Sequence, residues 1–138
     1  MSAIVITDKT YPLVYVHFQG ASTLENTQNF LARFDEWLLR QKSFSLILRQ
    51  TEIENDSVPE EEHTKVHRAI AQWAKQNKPR IANYCIGMAM VIDSTEAFEA
   101  EKNKIPKMIN GMFGCSGKAF QTEDLAKAWL ESLSARSL

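Results

Sequence analysis

His63 and His67 stand four residues apart, a spacing that on a helix puts two imidazoles on one face, where they could share a metal ion. The metal-hydrolase pattern would place a glutamate directly after the first histidine. This chain instead reads His63-Thr64-Lys65-Val66-His67, with a cation inside the spacing. Two ligands make only half of a zinc shell, so the plainer reading is a pair of exposed helix residues flanking an apolar stripe, and no metal is expected. Cys115, between Gly114 and Ser116, is the conspicuous loop thiol, but the histidine and acid of a cysteine hydrolase cannot be placed around it. Cys85 falls in an apolar run with no CxxC spacing, so both cysteines read as free thiols, one of them buried. His17 reads as a satisfied sheet histidine. Gly111, Gly114 and Gly117 recur at a spacing of three but precede a strand instead of joining strand to helix, so they fail as a dinucleotide fingerprint and no cofactor is expected.

Two serines sit where a helix would begin. In Asp56-Ser57-Val58-Pro59-Glu60-Glu61-Glu62, Ser57 and Glu60 have capping spacing, Pro59 suits a first turn, and the glutamates favour the positive end of the helix dipole. Asp93-Ser94-Thr95-Glu96 is a second such start. A third chemical feature is apolar. Met88, Met90, Met108, Met112 and Phe113 cluster around one strand and the helix after it, and methionine is a pliable lining for partner surfaces and ligand pockets as well as for ordinary cores.

The elements that must position these residues follow from the pattern. Ala3 to Ile6 and Leu13 to Phe18 are β-branched and aromatic runs around a turn-forming Asp8-Lys9-Thr10-Tyr11-Pro12, which predicts an opening hairpin. Ser22 with Glu25 predicts a cap for a helix whose Leu24, Thr27, Leu31, Phe34 and Leu38 step by three and four, ending near Lys42. Phe44 to Leu48 predicts a strand. Val66, Ala69, Ile70, Trp73 and Ala74 give the next helix its buried face, with Asn77-Lys78-Pro79 expected to stop it. Tyr84 to Ile92 is almost continuously apolar, as a central strand covered on both faces should be. A third helix should run from Ser94 towards Met112, kinked or broken at Pro106. Lys118 to Gln121 predicts the last strand, and Thr122 caps a last helix with Leu125, Trp129, Leu130 and Leu133 expected inward.

The resulting order, ββαβαβαβα, predicts an α/β fold with a mostly parallel five-stranded sheet flanked by helices. The 138 residues, without internal repeats or low-complexity linkers, suit a single domain spanning 1–138. The loops after the second to fifth strands should meet at one sheet edge, bringing together Gly20 to Ser22, Arg49 to Ser57, Asp93 to Thr95 and Gln121-Thr122. A net charge of −1, with the main cluster acidic, argues against nucleic-acid binding. No apolar run reaches the length of a stable membrane insertion and the first residues lack a secretory pattern, so a cytoplasmic location is expected.

This order of elements, from the opening hairpin to the closing Phe120-Gln121-Thr122-Glu123-Asp124-Leu125-Ala126-Lys127-Ala128-Trp129-Leu130, resembles the SpoIIAA-like fold of the STAS domains of anti-sigma-factor antagonists and of a broad group of bacterial proteins. The antagonists carry a regulatory serine in an Asp-Ser-Ser/Thr-Gly motif where the third strand leads into the second helix. Asp56-Ser57 matches that place, but Val58-Pro59 replaces the rest of the motif and the acidic run would repel a phosphate. Asp93-Ser94-Thr95 is closer in letters but follows the fourth strand.

The resemblance implies a non-catalytic regulatory or protein-interaction module, with Ser57 as candidate regulatory serine. Its expected interaction surface comprises Asp56, Glu60, His63, His67, Asp93, Ser94, Met108, Met112 and Phe113. The partner is expected to be a protein, with a homodimer as one option. The alternative is a carrier or sensor of a small apolar, lipid-like ligand with the methionine-rich third helix as lid. An enzyme using His63, His67 or Cys115 ranks last.

Overall fold

The computed structural model describes residues 3–20, 23–51 and 59–136. Among the described residues five strands and five helices follow in the order β1 (Ala3–Thr7), β2 (Leu13–Gln19), α1 (Leu24–Leu39), β3 (Phe44–Thr51), α2 (Glu60–Tyr84), β4 (Cys85–Val91), α3 (Thr95–Glu101), α4 (Ile105–Phe113), β5 (Ser116–Phe120) and α5 (Glu123–Arg136). The strands form one mixed sheet in the order β1-β2-β3-β4-β5. β1 is antiparallel to β2, Val5 opposite His17, and the three pairs from β2 to β5 are parallel. Every sheet neighbour is therefore a chain neighbour. Right-handed crossovers that always step in one direction place α1, α2 and α4 in one layer.

That layer covers the main core. Phe34, Trp37, Phe44 and Leu46 are fully buried between α1 and the sheet, and Ile81, Met88 and Ile109 extend the core under α2 and α4. Phe34 is its hub, with ring centroids 4.8 Å from Trp73, 5.8 Å from Phe44 and 6.4 Å from Phe113. The opposite face carries a smaller cluster in which Ala126 and Leu130 of α5 pack on Ile47, Ala89 and Val91. Arg33 pairs with Asp8 at 2.6 Å, tying α1 to the hairpin turn.

Local chemistry departs from expectation at several points. The α1 N-cap is Thr23, whose hydroxyl accepts from the Asn26 amide, so the reciprocal Ser22–Glu25 arrangement is not the cap; Ser22 itself lies outside the described residues. Pro59 is the N-cap of α2, so the helix begins two residues later than a cap at Ser57 would start it, and Pro59 makes no side-chain cap bond; Ser57 itself lies outside the described residues. α2 also runs through Pro79 to Tyr84. Pro79 is exposed, so the carbonyl it leaves unpaired faces water, while Ala74 and Ile81 are buried on either side and hold the helix to the core.

The third helical segment does break, and Pro106 falls in the first turn of α4, where its missing amide costs nothing. Gly114, at φ 82°, ends α4 in the left-handed conformation that glycine tolerates best. β5 begins at Ser116, so Gly117 belongs to the strand instead of preceding it. In α5 the Thr122 hydroxyl caps as expected, accepting from the Leu125 amide. Leu125 itself is 56% exposed and Ala126 takes the buried place beside it, whereas Leu130 is buried and Trp129 packs against the same cluster, as expected. Both cysteines, not one, are buried. Among the described residues no helix is long and apolar enough to cross a membrane.

Candidate functional site

The parallel strands bring their C-terminal ends to one edge, and the described parts of the four expected loops meet there. The Gly20 amide donates to the Thr51 carbonyl at 2.7 Å, and the Ile92 amide to the Phe120 carbonyl at 2.8 Å. The Gln121 amide nitrogen donates to the Thr95 hydroxyl at 2.9 Å. At the centre is Arg49 near the end of β3. Its Nη2 lies 2.6 Å from Asp93 and its Nη1 3.4 Å from Glu123, joining β3, the β4–α3 connection and the start of α5. The hydrogen bond that Arg49 donates to Asp93 holds the pKa of the guanidinium above its ordinary value, so it stays a cation throughout. Arg49 Nε is buried and has no hydrogen-bond partner among the described residues. Alongside, in register with Arg49, His17 shares a 2.7 Å hydrogen bond with the Thr51 hydroxyl, which satisfies this sheet histidine.

These contacts use up much of the chemistry that the sequence offered. Asp93 is engaged by Arg49, and Ser94 is the N-cap of α3, its hydroxyl accepting from the Ala97 amide at 3.3 Å. A serine that caps a helix beside an ion-paired aspartate has no base within the arrangement to activate it. Asp56 and Ser57 lie outside the described residues. Among the described residues no group of three or more histidine, cysteine or acidic side chains could hold a metal ion.

Glu60, His63 and His67 do come together. They share the outer face of the first turns of α2 with Thr64 and Arg68, lining a shallow depression of about 420 Å³. All five are exposed, whereas Val66, between the histidines, is buried and sets which side of the helix faces out. Glu62 turns towards α1, where its carboxylate accepts from the Leu24 amide at 3.3 Å. That contact docks the start of α2 against the start of α1.

Met108, Met112 and Phe113 are split by the geometry of α4. Met108 is 45% exposed, Met112 is half-buried, and Phe113 stacks on Phe34 as part of the core. Beneath α4, Ile109 rests on Gly117, where a Cβ atom would come within 2.4 Å of it. The helix is thus seated directly on β5.

The residues that sequence reasoning passed over are Arg49 and Glu123. Arg49 was visible only as the first polar residue after an apolar strand, and Glu123 only as part of a helix start; nothing in the spacing connects them. No protein-family model, curated protein or solved structure matches the chain.

Proposed function

We propose that this protein is a non-catalytic regulatory or protein-interaction module of SpoIIAA/STAS-like type, which docks a protein partner through the outer face of α2. The observation that carries the reading is that Glu60, His63, Thr64, His67 and Arg68 form one exposed face of mixed charge at the end of the sheet where the parallel loops converge. A helix face of this kind offers directional polar contacts to a partner. The sheet order and the lone antiparallel pair at its start support the family reading. The immobilised Asp93 and Ser94 support a role other than catalysis. On this reading Ser57, just ahead of the α2 N-cap in the chain, is the candidate switch, since a phosphate there would alter the charge next to the docking face.

The test is cross-linking in the native cells followed by purification of the wild type, the double variant His63→Glu/His67→Glu and the single variant Ser57→Glu. The wild type should recover a defined polypeptide in fixed proportion. The double variant should lose it with unchanged circular dichroism and melting temperature, and the Ser57 variant should change its yield. Equal recovery with the double variant would sink the assignment of the docking face.

A further inference from the structure

Cys85 opens β4 and Cys115 directly precedes β5, its hydrogen-bonded parallel neighbour, with Gly87 opposite Ser116. Strict alternation would aim the two thiols at opposite faces. Cys85 shares the parity of Gly87, which faces Leu130 and Leu133 of α5, whereas Cys115 shares that of Gly117, which faces Ile109 of α4. A bulge resolves the conflict. Phe44 opposes Cys85 but Ser45 opposes Gly87, so Ile86 is an extra residue, and β4 re-aims Cys85 towards the face occupied by Phe44.

Both cysteines accordingly enter the core under α1, α2 and α4, 3% and 5% exposed. Neither is in a disulfide. The Cys85 thiol donates to the Gly87 carbonyl at 3.6 Å, and the neighbouring Cys115 side chain together with burial pushes the Cys85 thiol well above its usual value. A bulge that turns one cysteine onto another is more than a packing detail, since an alternating strand would have kept them apart.

We propose that Cys85 and Cys115 are a dithiol modification site, closed to an intramolecular disulfide by a low-molecular-weight disulfide such as oxidised glutathione, and that this bond staples β4 to β5 beneath α4. Cys115 follows the Gly114 turn, so opening of the α4–β5 junction exposes it first. Its thiolate attacks one sulfur of oxidised glutathione, breaking that S–S bond and forming a mixed disulfide; the departing glutathione thiolate takes up the proton. Cys85 then gives up its proton and attacks the Cys115 sulfur, forming the protein disulfide and expelling the second glutathione as a thiol. The protein loses two protons and two electrons, and oxidised glutathione gains both. Burial makes local opening the slow step, so the site responds to sustained oxidation and not to a brief pulse. The bond would enclose α3 and α4 in a loop of about 30 residues, limiting the freedom of the segment that carries Met108 and Met112.

The test uses the whole native protein with excess oxidised glutathione, alkylation of remaining thiols, and non-reducing peptide mapping. The expected result is a peptide linking Cys85 to Cys115, a protein mass lower by two hydrogens, and slower amide exchange across α4 in the oxidised form. A lasting glutathione adduct on either cysteine would overturn the proposal. So would a disulfide-linked dimer, or thiols that stay reduced over a period in which the urea-unfolded chain is fully oxidised.

Discussion

The two faces of the sheet are built differently. The face under α1, α2 and α4 is aromatic and closed, with Phe34, Trp37 and Phe44 at zero exposure and each ring in contact with others. Among the described residues the opposite face has α5 alone: Ala126 and Leu130 are buried on it, but Leu13, Tyr15, Phe120 and Trp129 are only partly covered. Interlocked rings cannot shift singly, so the first face behaves as one unit, whereas small and aliphatic side chains under a lone terminal helix can re-settle. The difference teaches where stability and adaptability are divided: the helix layer holds the fold, and the edge where α5 begins can carry charge.

The sharpest way to break this comparison is to truncate one anchor on each face. Phe34→Ala should cost about 4 kcal/mol, because the cavity is walled by rings that cannot collapse into it, while Leu130→Ala should cost about 2 kcal/mol. Urea unfolding of both variants checks the order, and equal losses would mean that α5 is as firmly built in as α1. A smaller effect is expected where the two layers approach most closely. Gly117→Ala places a Cβ among three Ile109 atoms at 2.4 to 2.6 Å and should destabilise by about 2 kcal/mol. If the cause is the α4 contact, adding Ile109→Gly, which removes all three of those atoms, should make the combined loss smaller than the sum of the two single losses. Strict additivity would show that Gly117 matters for some other reason.

The helix layer was the legible half of the molecule. Leu31, Phe34 and Leu38 announce a buried stripe by their spacing, and the proline in the third helical segment announces a break, because periodicity and a missing amide act locally. What stayed hidden depends on tertiary support or on register. Pro79 looked like a stop because the sequence does not show that its unpaired carbonyl would face water between two buried anchors. Leu125 looked inward because apolar residues in a terminal helix fit more than one face, and burial by a single neighbouring sheet selected Ala126 and Leu130. The Cys85–Cys115 contact depends on one extra residue in β4, which no spacing rule signals. At the site, the convergence of loops followed from parallel connectivity, but the choice of Arg49, Asp93 and Glu123 as its ion-paired centre required three separate chain segments in space.

That centre should contribute least to stability, which makes it the finest probe of the division between faces. Arg49 is 35% exposed on its side chain, and its partners Asp93 and Glu123 are 57% and 47% exposed, so water screens both ion pairs. Replacing it also removes the buried Nε that has no partner among the described residues, which offsets part of the loss. Arg49→Met keeps the aliphatic stem against the sheet and should therefore shift stability by less than about 1 kcal/mol. Its stronger effect should be on order: with the bridge gone, amide exchange at the first turns of α3 and α5 should quicken, while α1 stays protected. A loss comparable to that of Leu130→Ala would instead make the charged edge a structural clamp, and stability would then not be confined to the aromatic face.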